Sequence, residues 1–210
     1  MRRDTRITSN QFSSSFLSCE KDIEEILRKL FVVSKPYSDI IKRLLVINTK
    51  DCLDNQNSEV INQKLAEMSL SKLKQEGYIT LEPKLRMSEH NEIKSYIVVG
   101  CDNFTPNMTN PEFRDCTVTF DIICHTDYWD LGNYRIRPLK IAGYIDGILN
   151  NTKLSGIGRF NFMGCNEIVL DEELAGYTLM YRAIHGSDEL IFELLQREYH
   201  SLIVIINHYS

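Results

Sequence analysis

The chain has 210 residues, 43% of them hydrophobic and 25% charged, and carries a formal net charge of −5. That length allows one good core with an extension, or two small domains, in an ordinary globular composition. The acidic balance argues against a protein whose main business is gripping phosphate backbones. Six cysteines, at 19, 52, 101, 116, 124 and 165, form no CxxC pair. They read as reduced, partly buried thiols of a protein made in a reducing cytoplasm. The basic MRRDTR start runs into polar SNQFSSS where a signal peptide needs an apolar stretch, and LIVII at 202–206 is too short to span a bilayer. No membrane association is expected.

In chain order, residues 1–18 read as a mobile N-terminal arm; the alternative is a segment that orders against a partner subunit. Residues 19–77 form a helical region. Ile23, Ile26, Leu27, Leu30 and Phe31 recur at helical spacing, with Ser18 placed to cap and Ser34-Lys35-Pro36 to break. A second helix carries Ile40, Ile41, Leu44, Leu45 and Ile47. Residues 48–58 are a polar linker, and a third helix is expected from Val60 to Gln75, ending at Gly77.

From Tyr78 the pattern turns to strands, and residues 78–186 are expected to form an α+β core. Tyr78-Ile79-Thr80 offers a short strand, and Ile93 to Gly100 a longer one. Residues 101–115, with two prolines and three asparagines, are expected to be a long loop. Thr117 to Cys124 is the central strand: Val118, Phe120, Ile122 and Cys124 share one face by the two-residue period. The segment His125 to Arg137, HTDYWDLGNYRIR, holds the only tryptophan and leads into a helix from Pro138 to Asn151. Gly158 to Gly164 is expected as a strand, residues 165–173 as a turn and edge region, and Leu174 to Ile184 as the last strand. Residues 187–210 are expected to be a C-terminal helix, capped by Ser187, and a tail. The expected fold is thus an antiparallel sheet of about four strands with a helix packed across it, preceded by N-terminal helices.

Little in this order is catalytic. His125 and Asp127 stand two apart on a strand end, where both could reach one metal or one water, so a small metal-dependent enzyme or nuclease is the alternative reading. Cys124 and His125 are adjacent in a strand and face opposite sides, which spoils them as a nucleophile and base. Gly156-Ile157-Gly158 is a turn and not a phosphate loop. Tyr128, Trp129 and Tyr134 are the best interface anchors, because flat amphipathic rings bury area at low entropy cost. Simple packing is the competing account. Arg135 and Arg137 are expected to bridge to a neighbouring subunit, and Phe113 joins this candidate set. No catalytic, metal or cofactor residue is assigned.

The stretches FRDCTVTFDIICHTDYWDLGNYRIRPLKIAGYIDGILNN and GIGRFNFMGCNEIVLDEELAGYTLMYRAI together resemble the core of tail-completion or tail-terminator proteins of tailed bacteriophages. The likeness is carried by Asp121, Ile122, Ile123, Cys124, His125, Trp129, Arg137, Pro138, Phe160 and Tyr181. It covers about residues 93–185, and more loosely LLVINTKDCLDN. The N-terminal arm and the C-terminal segment go beyond that compact core. The resemblance implies a structural virion protein that forms a ring at the tail end or neck, commonly a hexamer, with a dodecamer as the alternative. Its implied partners are the tail tube protein and neck or connector proteins, with DNA passing through the lumen without specific binding.

Overall fold

The structure is a computed structural model that describes residues 19–54, 59–81, 94–109 and 113–185. The expected arm at 1–18, the Ser18 cap and the helix and tail at 187–210 lie outside the described residues.

The helical region opens with α1, Cys19–Arg28, which runs on into a π-helical turn at Lys29–Val33. Ile26, Leu27, Leu30 and Phe31 are buried, as their spacing requires. The chain breaks at Ser34-Lys35-Pro36, whose Lys35–Pro36 bond is cis, and resumes as α2, Tyr37–Val46. The single third helix expected from Val60 to Gln75 is in fact two: α3, Glu59–Glu67, and α4, Leu70–Gln75. The reason is Ser69, whose hydroxyl accepts the Lys72 N–H at 3.2 Å and so starts a new helix. Gly77 follows at φ +72°, a left-handed position that glycine occupies without strain.

Five strands form one sheet in the order β1-β2-β3-β7-β6: β1 Ile79–Thr80, β2 Ser95–Pro106, β3 Arg114–His125, β6 Asn161–Val169 and β7 Leu174–His185. A two-stranded ribbon, β4 Lys153–Leu154 with β5 Gly158–Arg159, stands apart. The fold class is α+β, as expected. The short β1 adds a parallel edge, pairing Ile79 with Ile97, to four antiparallel strands. Central β3 places Phe120 opposite Val99 on one side and Leu179 on the other.

The long loop expected at 101–115 is corrected: β2 runs on to Pro106 and β3 begins at Arg114. One of the asparagines that suggested a loop, Asn103, serves a bulge instead. The β2–β3 register shifts between Asp102 and Thr105, and Asn103 takes φ +52° inside it. The strand expected at Gly158 to Gly164 is also redrawn. It splits at Phe160 into β5 and β6, and β6 absorbs residues 165–169 of the expected turn.

Helix α5, Arg137–Leu149, lies on the sheet face that carries Val118, Phe120, Ile122 and Tyr181. It buries Ile141, Ala142, Ile145, Ile148 and Leu149 there, and packs against α2, β3 and β7. Each large side chain so buried contributes roughly 1.5–3 kcal/mol. The opposite sheet face is mostly polar, with Asp121 accepting from Thr178 and Arg182 paired with Asp115. A small apolar group, Tyr96, Val98, Ile123 and Leu174, sits at one end of it. Among the described residues no helix is long and apolar enough to cross a membrane.

Candidate docking surface

The display segment is built outward from the end of β3. His125 Nδ1 accepts the Asp127 N–H at 3.2 Å and caps a 3-10 turn, Thr126–Tyr128. The Thr126 N–H reaches the Glu173 carbonyl at 2.8 Å and pins that turn to the start of β7. His125 Nε2 lies 3.8 Å from a Glu173 carboxylate oxygen, and Asp127 is 3.7 Å from Nδ1. Nδ1 is thus taken up by the turn, and the Glu173 carboxylate lies near Nε2 without hydrogen-bonding it. Among the described residues no group of three or more His, Cys, Asp or Glu side chains is arranged to hold a metal ion.

Beyond the turn, Trp129 is half-buried with its ring edge-on to Tyr177 at 6.5 Å. Tyr128 is likewise half-buried, and its carbonyl accepts from Arg137. Asp130 bridges to Ile136, and the chain between them closes through Leu131 N–H to the Arg135 carbonyl and Arg135 N–H to the Gly132 carbonyl. Three consecutive residues there, Gly132, Asn133 and Tyr134, have positive φ. For an aromatic residue such a backbone costs on the order of 1 kcal/mol. Yet Tyr134 is 105% exposed, so packing within the chain does not offset that cost.

The two arginines expected to reach a neighbouring subunit both have partners within the chain. Arg135 is engaged within the chain: its guanidinium grips the Asp54 carboxylate at 2.9 and 3.1 Å and the Leu131 and Gly132 carbonyls. That grip holds the Asp54 carboxyl below its ordinary value. Arg137 is corrected outright, because it is 0% exposed. Its guanidinium donates to the carbonyls of Tyr128 at 2.8 Å, Leu44 at 2.5 Å, Ile47 at 3.0 Å and Thr49 at 2.6 Å. Three of those carbonyls lie at or just past the end of α2, where a helix presents unpaired acceptors and partial negative charge. Arg137 is an internal rivet.

What the display segment leaves outside is a shallow groove of about 490 Å³ lined by Tyr134, Arg135, Ile136, Leu139, Lys140, Gly143 and Tyr144. Ile136 and Leu139 are exposed along it, and Tyr37 continues the aromatic surface, 6.0 Å from Tyr144. The Lys140 ammonium lies 6.0 Å from the Tyr144 ring centre. Sequence reasoning found Tyr134 and Arg135 but missed Ile136, Leu139, Lys140 and Tyr144. The signal was present: positions 136, 140 and 144 recur every four residues on the side of α5 opposite Ile141 and Ile145. Phe113 is not among the groove's lining residues and stands just before β3, roughly 35–40 Å along the strand from His125 at about 3.3 Å per residue. It is half-buried, and its carbonyl closes the hairpin by accepting the Asn107 N–H at 3.0 Å.

A second surface lies on β6, which among the described residues is the outermost strand on that side and pairs with β7 only. Phe162, Met163 and Val169 on it, and Leu170 just after it, are all exposed large apolar side chains.

Residues 38–183 match the model of one protein family, YomW. No curated protein and no solved structure matches the chain.

Proposed function

The chain belongs to the YomW family, and from that premise we propose that it is a structural virion protein forming a ring at the tail end or neck of a tailed phage. The family match points to a phage-associated protein, and its span, 38–183, takes in α2 and the strand-and-helix core. In this reading the ring joins the tail tube to the head-side connector, and its partners are further copies of itself, the tail tube protein and neck proteins. It holds six subunits, with twelve as the alternative. An acidic chain repeated around a lumen lets DNA slide without sticking.

The observation that carries the proposal is β6. Among the described residues β6 is a nine-residue edge strand with Phe162, Met163 and Val169 exposed, and such an edge is an aggregation hazard in a free monomer. A ring removes the hazard, because a head-to-tail interface covers each subunit's edge with its neighbour. The Tyr134 groove then serves as the second surface, facing the tube or the connector.

The test is the solution mass of the full chain with metal content assayed on the same sample. A particle of six or twelve times the 24.4 kDa chain supports the ring, and Met163→Lys with Val169→Lys should return it to monomer. A monomer carrying stoichiometric transition metal would overturn it in favour of chemistry at His125 and Asp127. Deleting residues 1–18 should weaken assembly if the arm latches a neighbour.

A further inference from the structure

The start of α1 and the end of β7, 166 positions apart, bring three side chains of complementary chemistry together. His185 is 1% exposed and points Nδ1 at the Asp22 carboxylate in a close hydrogen bond. Its other nitrogen, Nε2, faces the Cys19 Sγ at 3.8 Å. Phe104 stands edge-on to the imidazole at 6.0 Å and fixes its plane. Asp22 reaches the ring over Gly156, where a Cβ would lie only 2.8 Å from its Oδ1.

From this connectivity we infer that Cys19 is a nucleophilic thiol, with His185 as its general base and Asp22 as the residue that positions the base, and that its substrate class is an ester or thioester carbonyl. The carboxylate keeps the proton on Nδ1 and leaves the Nε2 lone pair turned to the thiol.

The other thiols make the contrast. Burial pushes Cys101 and Cys116 up to about 12 and Cys124 up to about 11, so all three are inert at neutral pH. Cys19 is also raised, by burial first and then by the Asp22 charge, while Arg114 and its own backbone N–H pull it down. Such a thiol rests protonated and needs a base at the moment of attack, which is the position Nε2 holds.

The step balances within the chain. Sγ bonds to the acyl carbon as its proton passes to Nε2. The alkoxide or thiolate then leaves with the bonding electrons of the broken C–O or C–S bond and takes that proton from Nε2. A water oxygen, deprotonated by the same nitrogen, then bonds to the acyl carbon; the C–Sγ bond breaks, Sγ takes the proton back from Nε2, and the acid is released. The inference does not depend on ring assembly.

The probe is p-nitrophenyl acetate on the full chain, with released p-nitrophenol followed by absorbance and the acetylated residue mapped by mass spectrometry. Exposed Cys165 is the internal reference. Cys19 should be acetylated at least tenfold faster than Cys165 at pH 7, with its pH–rate inflection below that of Cys165. His185→Gln should erase that lead and leave Cys165 unchanged. Asp22→Asn should lower the Cys19 rate severalfold and move the same inflection. Labelling of Cys19 no faster than Cys165 anywhere from pH 6 to 9 is what a merely buried thiol gives, and it overturns the inference in the unmutated chain. A normal Cys19 rate in folded His185→Gln overturns it as well.

Discussion

Replacing Arg137 by alanine removes a charge and five donors from a place with four carbonyl acceptors and no exposure. Each charge-assisted bond of this kind is worth about 1.5–3 kcal/mol, but the four share one side chain and do not add. Water entering the vacated space would satisfy some of the carbonyls. Breaking a buried charged constellation by deleting one member costs about 3–5 kcal/mol, and that is the expected loss. Arg137→Lys keeps the charge but concentrates its three donors at one point, so it cannot span Tyr128, Leu44, Ile47 and Thr49 at once. It should lose roughly 2–3 kcal/mol. Urea unfolding measures both, as a midpoint lowered by about 1–2 M for Arg137→Ala with an unchanged slope. Arg135→Ala, which breaks an exposed grip on Asp54 and two bonds to the Leu131 and Gly132 carbonyls of its own loop, should lower the midpoint by much less, at a cost of about 1 kcal/mol. A loss below about 1 kcal/mol for Arg137→Ala, or a lysine variant as stable as the parent, would refute the rivet.

Gly176→Ala should be among the most damaging single changes. Its Cβ would fall 1.7 Å from the Ile122 carbonyl oxygen, so the β3–β7 backbone must part, at a cost on the order of 3–5 kcal/mol by thermal unfolding. Gly147→Ala is the opposite case: an open, exposed position inside α5 that should gain about 0.5–1 kcal/mol. Asp115 is pushed up by burial, yet the Arg182 guanidinium and the Asn107 amide outweigh that and hold it below its ordinary value. A carboxyl so depressed contributes stability that is present above the unfolded value, about 3.9, and is lost as pH falls through the folded one. Asp115→Asn should therefore flatten the stability-against-pH curve below about pH 4. Tyr134→Ala should leave stability within about 0.5 kcal/mol and, on the proposed ring function, weaken co-sedimentation with the tail tube or connector.

What the sequence made legible follows from period and burial. Thr117 to Cys124 and Pro138 to Asn151 were readable because each buries one face of a regular element, and apolar residues mark that face directly. Residues 101–115 were not, because asparagine and proline serve loops, bulges and strand ends alike, and only pairing with β3 decides among them. Ser69 was a missed cap inside a run whose other residues favour a continuous helix. At the docking surface, Tyr134 was found as a flat ring in a polar segment. Arg137 was misjudged because its partners are main-chain carbonyls, three of the four of them 88 to 93 positions earlier, and carbonyls leave no trace in a sequence. Cys19, Asp22 and His185 were invisible as a set for the same reason of distance.

The Arg137 rivet also sets an order of events during synthesis. The carbonyls of Leu44, Ile47 and Thr49 leave the ribosome about 90 residues before the guanidinium that caps them. At ~5–20 residues per second that is a wait of roughly 5–20 s, during which α2 ends in open acceptors. The first helices can form in that interval but cannot lock. Their locking coincides with the arrival of α5 and with the first chance of β3 to bury its face beneath it. The N-terminal third is therefore timed by residue 137, and a nascent chain halted before it should be digested by protease where a chain halted well after it is not.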